Sequence, residues 1–437
     1  MPVSPARSAA FQILMRVERD SAYADELLHS LLLEPLSQPD RNLTTEMVMG
    51  VLRWRSALDS AFTRFLSTPV AKLDLAVLTA LRMGTYQIAF LDRIPRHAIV
   101  DESVELVKQA RKRSAAGMVN AVLRKLPPGR AGLPLEDAGP AIACAHPAWL
   151  VERWIAQFGR ETAAKICQFD QQTPVTMLRC RDDDAQRLLH AEGIECVPGA
   201  LLSNALKVTA GDVTRSNLFR SGRIAIQDEG SQLVAALVDR GNRILDCCAA
   251  PGGKTAALAD ALPLAYIVAA DIHAHRARLL RKMAPQTNVE VIAADALQLP
   301  FGAEFDCVLA DVPCSGSGTL ARNPEIKWKL TPADLIDLQS RQIAILKAAM
   351  KHVAPAGRLV YSTCSLEREE NEQVVEACLQ ANADYTIVPM AEELARLRNA
   401  GMLVSMNLNG LISGSYLRTL PGVHLCDGFF AAVIARR

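Results

Sequence analysis

The 437-residue sequence contains no apolar run near the roughly 18 residues needed to cross a bilayer, so no membrane-spanning helix is expected. It also lacks the apolar core of a secretory leader. Met1 to Phe11 is short and mixed, which points to the cytoplasm. Its eleven cysteines are odd in number and scattered, which argues against a disulfide framework. No CxxC pair occurs and the eight histidines fall at no zinc-ligand spacing, so no metal is expected. A GxGxxG loop is missing too, which weakens a nicotinamide-dehydrogenase reading.

Net charge is close to zero, at +1, but unevenly spread. Residues 41–130 hold 15 lysines and arginines against 7 acids, a surplus of +8, leaving about −7 for the rest. Either an RNA-binding module or a helical domain with a solvated basic face has this distribution. At about 150 residues per domain, the length fits two or three domains.

Residues 5 to 127 read as helices. Apolar residues recur at three and four spacing in Ala10-Phe11-Leu14-Val17, Met47-Val48-Val51-Leu52 and Leu75-Leu78-Leu81-Met83. Pro127-Pro128-Gly129 stops the pattern, and a linker is expected from Gly129 to Pro147. The expected division is an all-α domain over 1–130, a small α+β domain over 145–222 and a catalytic α/β domain over 223–437. In the last, strand-like runs at Ile224–Ile226, Arg243–Cys247, Tyr266–Asp271, Val289–Ala293, Asp306–Ala310 and Arg358–Ser362 alternate with helical ones, and Phe429–Ile434 closes the series. That rhythm predicts a mostly parallel sheet covered on both faces, with ligands at the carboxyl ends of its strands.

The residues after those strands carry the chemistry. Asp246-Cys247-Cys248 runs into Ala249-Ala250-Pro251-Gly252-Gly253-Lys254-Thr255 and then a helix. Small residues there let a ligand approach the backbone. The Gly-Lys-Thr ending is not a P-loop, because the first glycine and its spacing are absent. Asp271, 25 residues after Asp246, is placed to accept from a ribose diol, Asp295 to meet an adenine amino group, and Asp311 ends the fourth strand. Carboxylates around one glycine-rich turn suit S-adenosylmethionine, with its ribose, adenine and sulfonium, better than a pyrophosphate.

Two cysteines follow strands of the same sheet: Cys314 in Asp311-Val312-Pro313-Cys314-Ser315-Gly316-Ser317-Gly318, and Cys364 in Tyr361-Ser362-Thr363-Cys364-Ser365. A thiolate adding to carbon 6 of cytosine makes carbon 5 nucleophilic. A protonated Asp311 is expected as the acid near ring N3, which requires a raised pKa. The target base must leave its stack to be reached. Which cysteine attacks is open on local chemistry. A methyltransferase for exocyclic amines needs neither cysteine, and a non-catalytic RNA-binding factor needs no cofactor loop.

Asp246 to Thr255 (DCCAAPGGKT), Asp311 to Gly318 (DVPCSGSG), Ser362 to Ser365 (STCS) and Gln227 to Gln232 (QDEGSQ) resemble the RNA cytosine-C5 methyltransferases over about residues 223 to 437. Leu91 to Pro95 and Val119 to Arg124 are similar to a NusB-type helical domain, which points to the bacterial RsmB (Sun/Fmu) branch. The resemblance implies that Cys364 is the nucleophile, that Cys314 helps break the covalent adduct, and that Cys248 to Lys254, Asp271, Asp295 and Asp311 line the S-adenosylmethionine site. Val312 stands where many relatives have a second proline. The implied substrate is cytosine 967 of 16S ribosomal RNA, modified before the small subunit is complete. A monomer suffices for this.

Overall fold

The computed structural model describes residues 3–20, 22–130, 133, 145–238, 241–302, 304–404 and 408–437. Most of the linker expected between Gly129 and Pro147 lies outside them. The chain divides into two compact units: Met1–Thr173 with Leu320–Leu330, and Pro174–Thr319 with Thr331–Arg437.

The first unit is helical. Its main helices are Pro5–Arg19, Gln38–Thr63, Leu75–Phe90, Arg96–Gln109 and Ala116–Lys125, followed by Ala148–Phe158 and Arg160–Asp170. Side-chain caps set two starts: Ser37 accepts from Asp40 N–H at 3.3 Å and Asp74 from Ala76 N–H at 2.9 Å. Leu75–Phe90 is buried nearly all round, so it is the central helix. Glycines allow its close contacts. A Cβ on Gly50 would lie 1.9 Å from the Tyr86 ring, and one on Gly84 2.6 Å from Leu123.

Leu320–Leu330 joins this unit although the chain on both sides of it belongs to the other. Arg53 donates to the Ala321 carbonyl at 3.0 Å, and Lys327, only 1% exposed, returns a bond to the Arg53 carbonyl at 2.8 Å. Trp328 Nε1 donates to the Leu52 carbonyl at 2.5 Å, and Glu325 accepts from Ala24 N–H at 2.9 Å. His146 and Asp170, both buried, meet at 3.1 Å. Burial pushes the Asp170 carboxyl up to about 8 against the pull of Lys327 and Arg53.

The second unit contains two sheets. The strands are β1 (Met177–Cys180), β2 (Glu195–Pro198), β3 (Ala205–Ala210), β4 (Ile224–Ile226), β5 (Arg243–Asp246), β6 (Tyr266–Asp271), β7 (Val289–Ala293), β8 (Phe305–Asp311), β9 (Val353–Thr363), β10 (Tyr385–Val388), β11 (Ile412–Ser413), β12 (Tyr416–Arg418) and β13 (Phe430–Arg436). The smaller sheet is antiparallel, in the order β2-β3-β1-β4. Ile224–Ile226, read from sequence as the first run of the catalytic sheet, pairs here with Met177–Cys180 instead. Periodicity locates a strand but not its partner.

Among the described residues the larger sheet has nine strands, in the order β11-β12-β13-β9-β8-β5-β6-β7 with β10 on β13. β5 to β9 are parallel, while β13 returns antiparallel along β9. Alternation sends successive residues to two separate cores. Ile244, Cys307, Leu309, Val360 and Val433 enter one, and Leu245, Val308, Ala310, Leu359 and Tyr361 the other. Each fully buried aliphatic side chain contributes about 1.5–3 kcal/mol. Strand order reverses between β5 and β8, so the ligand crevice opens at their carboxyl ends.

Candidate active site

The loop after β5 enters the helix Gly253–Ala261. Gly252 has φ +115°, a conformation that strains any residue with a side chain, and a Cβ there would lie 2.8 Å from Leu280. A Cβ on Gly253 would meet nothing nearer than Gln227 Nε2 at 3.7 Å, so that face of the loop is open to a ligand. Ala249 N–H donates to the Ala270 carbonyl at 2.8 Å, and Arg276 to the Ala250 carbonyl at 3.2 Å, which seats the loop beside the end of β6.

Asp246 is 1% exposed and accepts from Thr255 Oγ1 at 2.7 Å, while its Oδ1 is buried without a partner. Burial pushes its carboxyl up to about 7. The unpartnered oxygen suits a ligand that brings a donor. Asp271 ends β6 buried, accepting from His273 N–H at 2.9 Å. Asp295 lies past β7, half-buried, and accepts from Leu297 N–H at 2.9 Å. The neighbouring Cys247 side chain, with burial, raises the Cys248 thiol well above its ordinary range.

Asp311 joins this loop to the next element. Parallel register sets it beside Ser362 on β9. Its Oδ1 accepts from Ser362 Oγ at 2.7 Å and its Oδ2 pairs with Lys254 Nζ at 2.8 Å. Burial works to lower the Lys254 pKa, but the Asp311 charge and hydrogen bond outweigh it, and the net shift is upward. The Lys254 ammonium also stands 5.0 Å from the centre of the Phe429 ring.

The two singled-out cysteines converge because β8 and β9 are adjacent and parallel, so the loops leaving their ends are neighbours. Cys314 Sγ and Cys364 Sγ are 3.3 Å apart. The hydrogen bond to Cys364, followed by burial, raises the Cys314 thiol well above its ordinary range. Gly318 N–H donates to the Cys364 carbonyl at 2.9 Å, and Gly428 N–H to the Gly318 carbonyl at 2.8 Å. Lys254, Asp311, Cys314 and Cys364 therefore form one site. Asp271 and the loop from Cys248 flank the end of β6, and Asp295 follows the strand beyond it.

Sequence reasoning missed Glu370, which is fully buried beneath both cysteine loops. Within Glu367-Arg368-Glu369-Glu370-Asn371-Glu372 it reads as one charge in a solvated run. The QDEGSQ segment turns out to fasten the unit. Asp228 caps the helix Glu229–Ala236, and Glu229 accepts from Ala200, Leu201 and Leu202 N–H at 3.1, 2.6 and 2.7 Å. Among the described residues, no group of three or more His, Cys, Asp or Glu is placed to hold a metal ion, and no helix is long and apolar enough to cross a membrane.

Comparison with known proteins covers nearly the whole chain. The family described as 16S rRNA methyltransferase RsmB/F matches residues 234–435, the NusB family residues 4–127, and a Methyltr_RsmF/B-like, ferredoxin-like domain residues 146–214. The chain is 35% identical over 458 residues to the Probable ribosomal RNA small subunit methyltransferase B of Bacillus subtilis, covering 100% of both chains. It is 32% identical to the Ribosomal RNA small subunit methyltransferase B of Xanthomonas campestris, covering 99% of this chain and 97% of that one. The crystal structure of PH0851 shares the fold, with a TM-score of 0.79 at 22% identity over 99% of both chains.

Proposed function

The chain belongs to the RsmB/F family of 16S rRNA methyltransferases, and from that premise we propose that it methylates carbon 5 of cytosine 967 in 16S ribosomal RNA through a covalent Cys364 adduct. The observation that carries this reading is the pair of thiols 3.3 Å apart at the ends of adjacent parallel strands, with Lys254 and Asp311 in the same site. Residues 1–130 serve as the RNA-binding helical domain and 145–222 as the small α+β domain, while 223–437 carry catalysis in the cytoplasm.

S-adenosylmethionine, when bound, supplies an electrophilic methyl group on its sulfonium. The residues present fit it. Cys248 to Lys254, Asp271, Asp295 and Asp311 line its site, and the unpartnered Asp246 Oδ1 adds an acceptor. Cys314 Sγ stands 3.3 Å from Cys364 Sγ, within reach to donate a hydrogen bond to the Cys364 thiolate. Cys364 then adds to carbon 6 of the flipped cytosine. Lys254, held by Asp311, delivers a proton toward ring N3, a role the sequence had suggested for Asp311 itself. Once carbon 5 carries its methyl group, that carbon loses its proton to a base. The sulfur–carbon bond breaks back to Cys364, and the N3 proton returns to Lys254. Cys314 assists this release by hydrogen bonding to the departing sulfur.

Bisulfite sequencing of 16S RNA with and without the gene tests the target, and loss of the signal at one cytosine is expected. Cys364→Ala is expected to bind S-adenosylmethionine in calorimetry but transfer no methyl group. Retained turnover would refute the assignment.

A further inference from the structure

We infer that Glu370 is a positioning residue that holds the Cys314 and Cys364 loops at their working separation. This rests on the assignment of those cysteines above. Glu370 lies six residues after Cys364 and is fully buried. Its Oε1 accepts from Ser315 N–H at 2.8 Å and from Gln342 Nε2 at 2.9 Å. Its Oε2 accepts from the Ser315 and Ser365 hydroxyls, each at 2.5 Å. Ser315 follows Cys314 and Ser365 follows Cys364, so one carboxylate grips the residue beside each thiol.

The donors match an ionised acceptor. Two amides and two hydroxyls point at one carboxylate, which supplies about four lone-pair sites. The hydroxyls find acceptors in Glu370 and also receive bonds themselves: Ser365 Oγ accepts from Glu367 N–H at 3.0 Å and Ser315 Oγ from Ser317 N–H at 3.4 Å. Burial raises the Glu370 carboxyl, and hydrogen bonds from Ser315, Ser365 and Gln342 offset that shift only in part. Gln342 also donates to the Pro313 carbonyl at 2.9 Å, on the other side of Cys314.

Neighbours brace the grip from below. Tyr361 O–H donates to the Glu370 carbonyl at 2.6 Å. Asn371 accepts from Thr363 Oγ1 at 2.5 Å and donates to the Ser365 carbonyl at 2.9 Å, which ties both sides of Cys364. Unlike these neutral bonds, those to the Glu370 carboxylate are charge-assisted, the stronger class. With the carboxylate removed, each loop would keep its backbone contacts but lose the group common to both. Reaction geometry tolerates little error, since a displacement of 1 Å costs about 100-fold in rate.

The test compares Glu370→Ala and Glu370→Gln with the native enzyme on a ribosomal RNA transcript. Glutamine keeps an oxygen for the two amide donors and presents an NH2 to hydroxyls that can turn to accept. Glu370→Ala should lose about 100-fold in kcat, with KM for RNA and for S-adenosylmethionine changed less than about twofold. Glu370→Gln should recover most of that loss. A second readout is the rate at which diamide links Cys314 to Cys364, counted as lost free thiols, which should fall in step with kcat across the variants. Were Glu370→Ala to fail to fold, Ser315→Ala and Ser365→Ala, which each remove one link, would carry the same comparison.

A purely structural residue would lower the melting temperature while the folded fraction kept native kcat and diamide rate. That outcome refutes the proposal. Cys364→Ala, run in parallel, separates the two readings. If it remains active, the nucleophile assignment is wrong. If it is inactive while the Glu370 and serine variants keep native kcat and diamide rate, the positioning role is wrong.

Discussion

Replacing Gly318 by alanine puts a single methyl group where the two cysteine loops close on the strand that follows them. An added Cβ would stand 2.2 Å from the Gly428 carbonyl oxygen, 2.8 Å from its carbon and 2.9 Å from the Cys364 carbonyl oxygen. All three are backbone atoms, so no side chain can swing away. Ordinary contact begins near 3.5 Å, so the loops must part by about 1 Å. Overpacking of this kind destabilises by about 1–3 kcal/mol, which lowers the melting temperature by roughly 2–4 °C for each kcal/mol in a domain of this size. The hydrogen bond from Gly318 N–H to the Cys364 carbonyl is strained by the same movement. Because the displaced residue is the proposed nucleophile, single-turnover methyl transfer should fall about 100-fold, measured with radiolabelled S-adenosylmethionine on an RNA transcript. Gly302→Ala is the control, since a Cβ there meets nothing within 4 Å. Native turnover in Gly318→Ala at an unchanged melting temperature would show that the Gly318 contact does not hold Cys364 in place.

Cys314→Ala should accumulate a covalent RNA adduct, seen as a retarded band on a denaturing gel, and absence of that band would count against the release role. Asp246→Asn should weaken S-adenosylmethionine binding in calorimetry, because the buried Oδ1 offers a ligand donor an acceptor that half of the amide flips would lose; unchanged affinity would remove Asp246 from the site. Asp170→Asn tests the helical unit through pH. Burial raises the folded Asp170 from 3.8 to about 8, so the folded state binds the proton more tightly. The stability that Asp170 contributes is then present at low pH and lost as pH climbs from 3.8 to about 8. Chemical denaturation across that range should show native stability falling relative to Asp170→Asn, and a pH-independent difference would contradict it.

Much of the catalytic sheet was legible because β5, β6, β8 and β9 are buried on both faces and read as continuous apolar runs. The cofactor loop and the two cysteines stood out because small or reactive residues follow those runs directly. The strand partner of Ile224–Ile226 was not legible, since three apolar residues fit either sheet. β10, β11 and β12 are only two to four residues long, and only pairing makes them strands: β10 and β12 along β13, and β11 along β12. Glu370 and Asn371 were hidden in a charged stretch, because burial of a charge is decided by donors that arrive from Ser315 and Gln342, 55 and 28 residues earlier. The Lys254 partnership with Asp311 spans 57 residues and leaves no local trace.

The Leu320–Leu330 segment has a consequence for the order in which the protein is made. The first 173 residues of the helical unit leave the ribosome about 150 residues before the piece that completes it. At about 5–20 residues per second that interval is roughly 7–30 s. During it the Arg53 guanidinium has no Ala321 carbonyl to reach and the Leu52 carbonyl no indole to receive. The helical unit is therefore finished only after strands β5 to β8 of the other unit have been translated. A nascent chain stalled before residue 320 should expose a protease-sensitive helical unit, and one stalled well past residue 330 a resistant one.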